Sequence, residues 1–318
     1  MKTLLITRPL PEEVVSELTG LYDVTVRSST APLDESELHA ALSDYDAVLP
    51  TLRDNFSREV FEAVPNPRCK VLANFGVGYN HIDAEAAAEV GIVVSNTPGA
   101  VTDATADTAM TLMLMSARRA GEGERLVRAG QWDGWHPTQM LGMHLSGKTV
   151  GIVGMGRIGE AIARRCHFGF GMSVVYFNRS AKTLGFNATR AETLGELASR
   201  VDVLVAAVPG GGATRHLINA EVFRSMQSHA HFINISRGDV VDETALIAAL
   251  QSGEIGGAGL DVYEFEPDVP KALRALDNVT LLPHLGTAAL EVRVNMGLMA
   301  VENLKAHRAG HDLPNRVN

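Results

Sequence analysis

Thr149-Val150-Gly151-Ile152-Val153-Gly154-Met155-Gly156-Arg157-Ile158-Gly159 is the stretch that decides the fold. An apolar run of strand length leads into glycines spaced G-x-G-x-x-G, and a helical stretch over Glu160–Cys166 follows. Gly154 permits a tight turn, Gly156 lets the backbone approach a pyrophosphate, and Gly159 lets helix and strand pack closely. The helix N-terminus offers free N–H groups and the positive end of the helix dipole to phosphates, and Arg157 and Ile158, between the glycines, are also expected at the cofactor. A lone glycine triplet is weak evidence. With a second strand expected over Ser173–Asn178, the whole unit predicts a dinucleotide site.

The end of that second strand selects the dinucleotide. A carboxylate about 20 residues beyond the glycines would bind the ribose 2′-OH of NAD. Here Asn178-Arg179-Ser180 stands instead, and no Asp or Glu occurs from Ala161 to Ala191. Nothing there repels a 2′-phosphate, Arg179 can form a charge-assisted fork to it, and Asn178 and Ser180 can donate hydrogen bonds. The alternative is an ordinary exposed arginine at a strand end. NADPH is expected to be preferred, with NAD possible.

Outward from this unit, short apolar strands alternate with amphipathic helical stretches, the pattern of parallel α/β sheets. Before it, strands are expected near residues 3–7, 23–27, 47–50, 71–73 and 92–95, with helices near 11–19, 34–42, 58–63 and 83–89. Asn96-Thr97-Pro98-Gly99 breaks the pattern. Asp103–Arg119 then reads as a helix apolar over most of its circumference, buried between domains, against a second subunit, or both. After it, strands are expected at 149–153, 173–178, 203–207, 232–235 and 257–261, and a last amphipathic helix over 287–307. Two α/β units follow, and ligands are expected in the gap between them.

The 318 residues suit about two domains of ordinary globular composition. A net charge of -9 disfavours nucleic acid as a general partner but leaves room for a small anion held by a few local cations. Cys69 and Cys166 are expected as free buried thiols. The N-terminal apolar run is too short for a signal peptide, and Ala109–Met115 is far too short to span a membrane. A cytoplasmic protein with no membrane association is expected.

Three later segments carry candidate chemistry. Asn234-Ile235-Ser236-Arg237-Gly238, Gly259-Leu260-Asp261-Val262-Tyr263-Glu264-Phe265-Glu266-Pro267 and Leu281-Leu282-Pro283-His284-Leu285-Gly286 each follow an apolar strand, at the carboxyl edge where such sheets bind ligands. Reducing a 2-oxo acid requires a cation for the carboxylate, polarisation of the ketone and a proton for the nascent alkoxide. Arg237 can supply the first two, because a planar guanidinium can touch carboxylate and ketone oxygens together. His284 can supply the proton as general acid, and in reverse accept it. Glu266 is the carboxylate expected to orient its ring. Each residue alone has a structural explanation; their succession at strand ends beside a dinucleotide fold does not. No metal ligands are assigned.

With these motifs, and with Asn74-Phe75-Gly76-Val77-Gly78-Tyr79-Asn80-His81-Ile82-Asp83, the chain resembles the D-isomer-specific 2-hydroxyacid dehydrogenases over essentially its whole length, and among them the glyoxylate/hydroxypyruvate reductases. The resemblance implies a flavodoxin-like substrate domain over residues 1–97 and 287–318, with a Rossmann NAD(P)-binding domain over 98–286 inserted in it. It implies a homodimer, reduction of a small 2-oxo acid such as glyoxylate or hydroxypyruvate, and Arg237, Glu266 and His284 as catalytic residues. Val77 and Gly78 would present N–H groups to the substrate carboxylate, with Leu52 beside the pocket. Asp261 would bind the nicotinamide carboxamide, with Ile235 and Gly286 nearby. Trp135 reaches a partner's pocket in this reading, or is a plain buried tryptophan. His81 is read as structural. One departure is Val208-Pro209-Gly210-Gly211-Gly212, where the family has a Pro-Leu-Thr-like turn; Val208 and Pro209 keep their place beside the cofactor, through backbone contacts only or as a gap that accommodates the adenosine phosphate. The alternatives are another D-2-hydroxyacid or phosphite dehydrogenase, or a dinucleotide-sensing co-repressor on the same fold.

Overall fold

Leu4-Leu5-Ile6, Ala47-Val48-Leu49 and Val71-Leu72-Ala73 are apolar triplets with no alternation, as parallel strands covered on both faces require. The computed structural model describes all residues, Met1–Asn318, and they divide into two units, Met1–Val101 with Ala288–Asn318, and Thr102–Thr287.

The first unit runs β1 (Thr3–Ile6), α1 (Glu12–Thr19), β2 (Asp23–Val26), α2 (Glu35–Asp44), β3 (Ala47–Leu49), α3 (Arg58–Ala63), β4 (Val71–Ala73), α4 (Ala84–Glu89) and β5 (Val93–Ser95). Its strands pair in parallel in the order β2-β1-β3-β4-β5, that of flavodoxin-like sheets. Successive side chains of a strand point to opposite faces. Leu4, Ile6, Leu49 and Val71 accordingly pack with Val14 and Leu18 of α1, while Leu5, Val48 and Leu72 pack with Leu42 and Phe61 on the other side.

The second unit runs α5 (Thr102–Ala117), α6 (Ala120–Arg128), β6 (Thr149–Val153), α7 (Arg157–Arg164), β7 (Ser173–Phe177), β8 (Thr189–Arg190), α8 (Leu194–Ser199), β9 (Val203–Ala206), α9 (Ala220–Ser225), β10 (His231–Asn234), α10 (Glu243–Ser252), β11 (Gly257–Leu260), α11 (Lys271–Arg274) and β12 (Val279–Leu281). The chain then returns to the first unit as α12 (Leu290–Ala309), whose Ala300, Val301 and Leu304 join the core beside α1. The seven strands are all parallel, ordered β12-β11-β10-β9-β6-β7-β8. Strand order reverses between β6 and β9, the point outside which doubly wound sheets bind dinucleotides. The fold is thus α/β with a Rossmann sheet inserted in a flavodoxin-like one.

Two local readings gain detail. Helix α5 is covered over most of its circumference, with Ala106, Ala109, Met110, Leu112 and Met113 buried, and Asp107, Thr111 and Leu114 forming a narrow exposed stripe. Trp135 is 80% exposed, so it is not a buried tryptophan within this chain. Cys69 and Cys166 are free and buried, and burial pushes each thiol up to about 12. No helix is long and apolar enough to cross a membrane.

Candidate active site

The glycine turn follows its sequence closely. Gly154 has φ +96°, a region that favours glycine, and a Cβ there would lie 2.7 Å from Val208 Cγ1. The turns after β6 and β9 therefore touch at the strand-order reversal. At Gly159 a Cβ would overlap the Gly154 carbonyl, so helix and turn are as close as glycine allows. At Gly156 a Cβ would meet nothing within 4 Å, which leaves the approach to the backbone open. Helix α7 starts at Arg157, earlier than the sequence suggested, because the Gly156 carbonyl already accepts the Glu160 N–H at 2.8 Å. No side chain caps this terminus, so its first N–H groups face outward, and the residues present fit a dinucleotide phosphate.

At the end of β7, Arg179 and Ser180 are exposed. The Asn178 Oδ1 accepts the Met155 N–H at 3.2 Å and its Nδ2 donates to the Ser180 carbonyl at 3.0 Å. Its amide ties the strand end to the glycine turn and keeps a second Nδ2 hydrogen to donate. The Arg190 guanidinium, which the sequence did not single out, donates to the Asn178 carbonyl at 3.2 and 3.3 Å.

Strands β10, β11 and β12 lie side by side with Asn234, Leu260 and Leu281 in register, so the residues just beyond them are brought together. His284 Nδ1 lies 2.9 Å from Glu266 Oε2, and Glu266 Oε1 accepts the Tyr263 N–H at 3.1 Å. Burial pulls the Glu266 carboxyl upward, but the His284 hydrogen bond and charge, the Tyr263 N–H and the Arg237 charge together hold it below the ordinary glutamate range. Glu264 is committed elsewhere, to His216 Nε2 at 2.7 Å and Arg215 Nη2 at 3.2 Å. The pairing thus picks out Glu266 over Glu264.

Arg237 is near enough to Glu266 for their charges to act on each other, and Gly238 lets its strand end pass directly against the Tyr263 backbone. Its Nη1 donates to the Ser236 carbonyl at 2.7 Å, and Asn234 Nδ2 donates to the Arg237 carbonyl at 3.0 Å. Its Nε is buried and has no partner in the protein. A buried donor without an acceptor is costly unless a ligand supplies one. Burial lowers the guanidinium's proton affinity, against the charges of Glu266 and Asp239, which raise it. The departure at the family's Pro-Leu-Thr-like turn has a structural consequence: a Cβ at Gly210 would lie 2.7 Å from Arg237 Cγ, so the arginine stem occupies that space. Val208 is half-buried and Pro209 exposed on the same turn, and Ile235 is buried just after β10.

Asp261 is buried and its carboxylate accepts the N–H groups of Leu285 at 2.6 Å and Gly286 at 2.8 Å. Burial raises its carboxyl against these two bonds.

In the first unit, the loop Phe75–Gly78 follows β4. Asn74 Nδ2 donates to the carbonyls of Gly76 and Gly78 at 3.0 and 3.1 Å, and Asn96 Nδ2 donates to that of Val77 at 2.8 Å. The loop's carbonyls are thereby turned to side-chain amides, and none of these bonds consumes the Val77 or Gly78 N–H. His81 Nε2, 3.1 Å from Asn74 Oδ1, braces the same amide and is buried, which fits a structural residue. Leu52 is half-buried on a turn held by buried Asp54, which accepts Thr51 N–H at 3.0 Å and pairs with Arg8 at 3.2 Å. The roles of Asn74, Asn96, Asp54 and Arg190 were not legible, since each acts through a contact distant in sequence or on a backbone atom.

Residues 110–286 match the D-isomer specific 2-hydroxyacid dehydrogenase, NAD binding domain. The chain is 42% identical over 319 aligned residues to the glyoxylate reductase of Pyrococcus furiosus, with 98% of this chain and 94% of that one covered. A protein of Thermus thermophilus superposes with a TM-score of 0.92 at 40% identity, covering 99% and 100% of the two chains. The NADPH-dependent glyoxylate/hydroxypyruvate reductase of Sinorhizobium meliloti, in complex with NADP and malonate, is 36% identical with a TM-score of 0.89, covering 99% and 96%.

Proposed function

Because the chain belongs to the D-isomer-specific 2-hydroxyacid dehydrogenase family and is therefore an NAD(P)-dependent oxidoreductase, we propose that it reduces glyoxylate or hydroxypyruvate to the D-2-hydroxy acid and prefers NADPH to NADH. The observation that carries this reading is the 2.9 Å His284–Glu266 pair beside an arginine whose buried Nε lacks an acceptor.

Arg237 grips the substrate carboxylate and polarises the ketone oxygen. Glu266 holds the imidazole through Nδ1, which leaves Nε2 to deliver the proton to the developing alkoxide. The nicotinamide, when bound, supplies the hydride. Residues 98–286 serve as the NAD(P)-binding domain, with the N–H groups near Gly154, Gly156, Arg157, Ile158 and Gly159 for the pyrophosphate. Val208, Pro209, Ile235, Asp261 and Gly286 line its remaining length. Residues 1–97 and 287–318 serve as the substrate domain, where Val77 and Gly78 offer N–H groups to a carboxylate and Leu52 an apolar wall. NADPH preference rests on Arg179 and Ser180 standing exposed beside Asn178, on the lack of Asp or Glu in the sequence from Ala161 to Ala191, and on likeness to an enzyme named as NADPH-dependent. A homodimer in the cytoplasm completes the reading, and the exposed apolar side chains Val127, Trp132, Trp135 and Leu141 support the dimer.

Steady-state assays with a panel of 2-oxo acids, each run with NADPH and NADH, test the proposal. The highest kcat/KM is expected with NADPH and glyoxylate or hydroxypyruvate. His284→Ala should lose about 10²–10⁴-fold in turnover. Near-normal turnover in that variant, or no reduction of any 2-oxo acid by the wild type, would overturn it.

A further inference from the structure

His284 has φ +55°, the left-handed region that residues with a Cβ seldom enter. Such a conformation persists only where the surroundings over-determine it. Here one residue does most of that work. Asp261, 1% exposed at the end of β11, accepts three successive N–H groups of the turn. Its backbone carbonyl takes the His284 N–H at 2.9 Å, Oδ1 takes that of Leu285 at 2.6 Å, and Oδ2 takes that of Gly286 at 2.8 Å. Thr105 Oγ1 on α5 fixes the far side by donating to the Gly286 carbonyl at 3.2 Å. A Cβ at Gly286 would lie only 3.2 Å from Asp261 Oδ2, so turn and carboxylate are in close contact with no space to slip.

The imidazole and its backbone are thus held independently, the ring by Glu266 and the main chain by Asp261. We propose that Asp261 is the positioning residue for His284: its carboxylate holds Leu285 and Gly286, and its backbone carbonyl the His284 N–H, in the turn that presents the ring to Glu266. The inference deepens the reading of His284 as proton donor and rests on it. It gives Asp261 a share in turnover that runs through the histidine and does not depend on a contact to nicotinamide.

Asp261→Asn keeps the shape of the side chain but leaves one oxygen for two N–H groups. The experiment compares wild type, Asp261→Asn, Gly286→Ala and His284→Ala. It measures kcat and kcat/KM for hydroxypyruvate against pH at saturating NADPH, and Kd for NADPH by fluorescence titration. The expected result for Asp261→Asn is a kcat reduced about 10-fold or more, short of the ~10²–10⁴-fold loss for removing the proton donor. The pH profile of kcat, read at saturating NADPH, should shift as well, independently of any change in the NADPH Kd. Gly286→Ala, which presses on the intact carboxylate, should shift the profile in the same direction; it carries the test if Asp261→Asn does not fold. A weakened NADPH Kd with wild-type kcat and pH profile in Asp261→Asn would overturn the inference, as would a wild-type profile in Gly286→Ala. Active His284→Ala would instead sink the reading beneath it, whatever Asp261 does.

Discussion

Arg179 stands exposed at the end of β7, beside Asn178, whose Oδ1 is bonded to the glycine turn. In the proposed reading, discrimination between the two cofactors falls mainly on Arg179. A carboxylate at this position would repel a 2′-phosphate and accept a hydrogen bond from a ribose 2′-OH. Arg179→Asp is therefore expected to invert the cofactor preference, lowering kcat/KM with NADPH by at least tenfold while NADH is retained or improved. Paired assays with the two cofactors check this; an unchanged ratio would mean that the phosphate is held by other residues. This position was legible because it is defined by spacing along one strand. Arg190 was not, because its guanidinium reaches a backbone carbonyl rather than a side chain that a pattern could mark.

Among the elements, α7 and its turn have the least freedom. A Cβ at Gly159 would overlap the Gly154 carbonyl and press within 3.0 Å of Ile152 Cγ2, so Gly159→Ala must part helix from strand. Overpacking of this kind costs about 1–3 kcal/mol. A fall in Tm of several degrees is expected, about 2–4 °C per kcal/mol in a domain of this size, with weakened NADPH binding. Thermal unfolding with and without NADPH measures both, and an unaltered Tm would show that the turn can relax. The main strands and helices could be read from apolar periodicity, which burial itself imposes. Two elements could not. Helix α6 contains Gly121 and Gly123 and buries none of its residues, so no apolar stripe marks it. Strand β8 is two residues long and is defined by pairing to β7.

Across the whole molecule, acid stability offers a further test. Burial, aided by the charge of His229, pushes the His231 imidazole down to about 4, and Ser116 Oγ lies 2.7 Å from its Nδ1. An unfolded histidine takes up its proton near pH 6.5. As pH falls from about 6.5 to about 4 the unfolded chain binds the proton first, so stability declines across that window. Asp261 and Glu243, whose carboxyls burial raises, act in the opposite sense, and comparison with His231→Gln isolates the histidine. Urea midpoints at pH 7.5 and pH 5 should fall less in His231→Gln than in the wild type; an equal fall would assign the acid sensitivity elsewhere. The sequence by itself determined the α/β class, the glycine turn and the residues proposed to bear the chemistry, since each is written in local spacing that backbone sterics and burial constrain directly. Only the tertiary structure decided that Glu264 is tied to His216 and Arg215, that Gly210 yields its space to the Arg237 stem, and that Asp261 holds the histidine's strained backbone. Those are contacts between separate strand ends, and their distances depend on how neighbouring strands register and pack, which no stretch of sequence encodes alone.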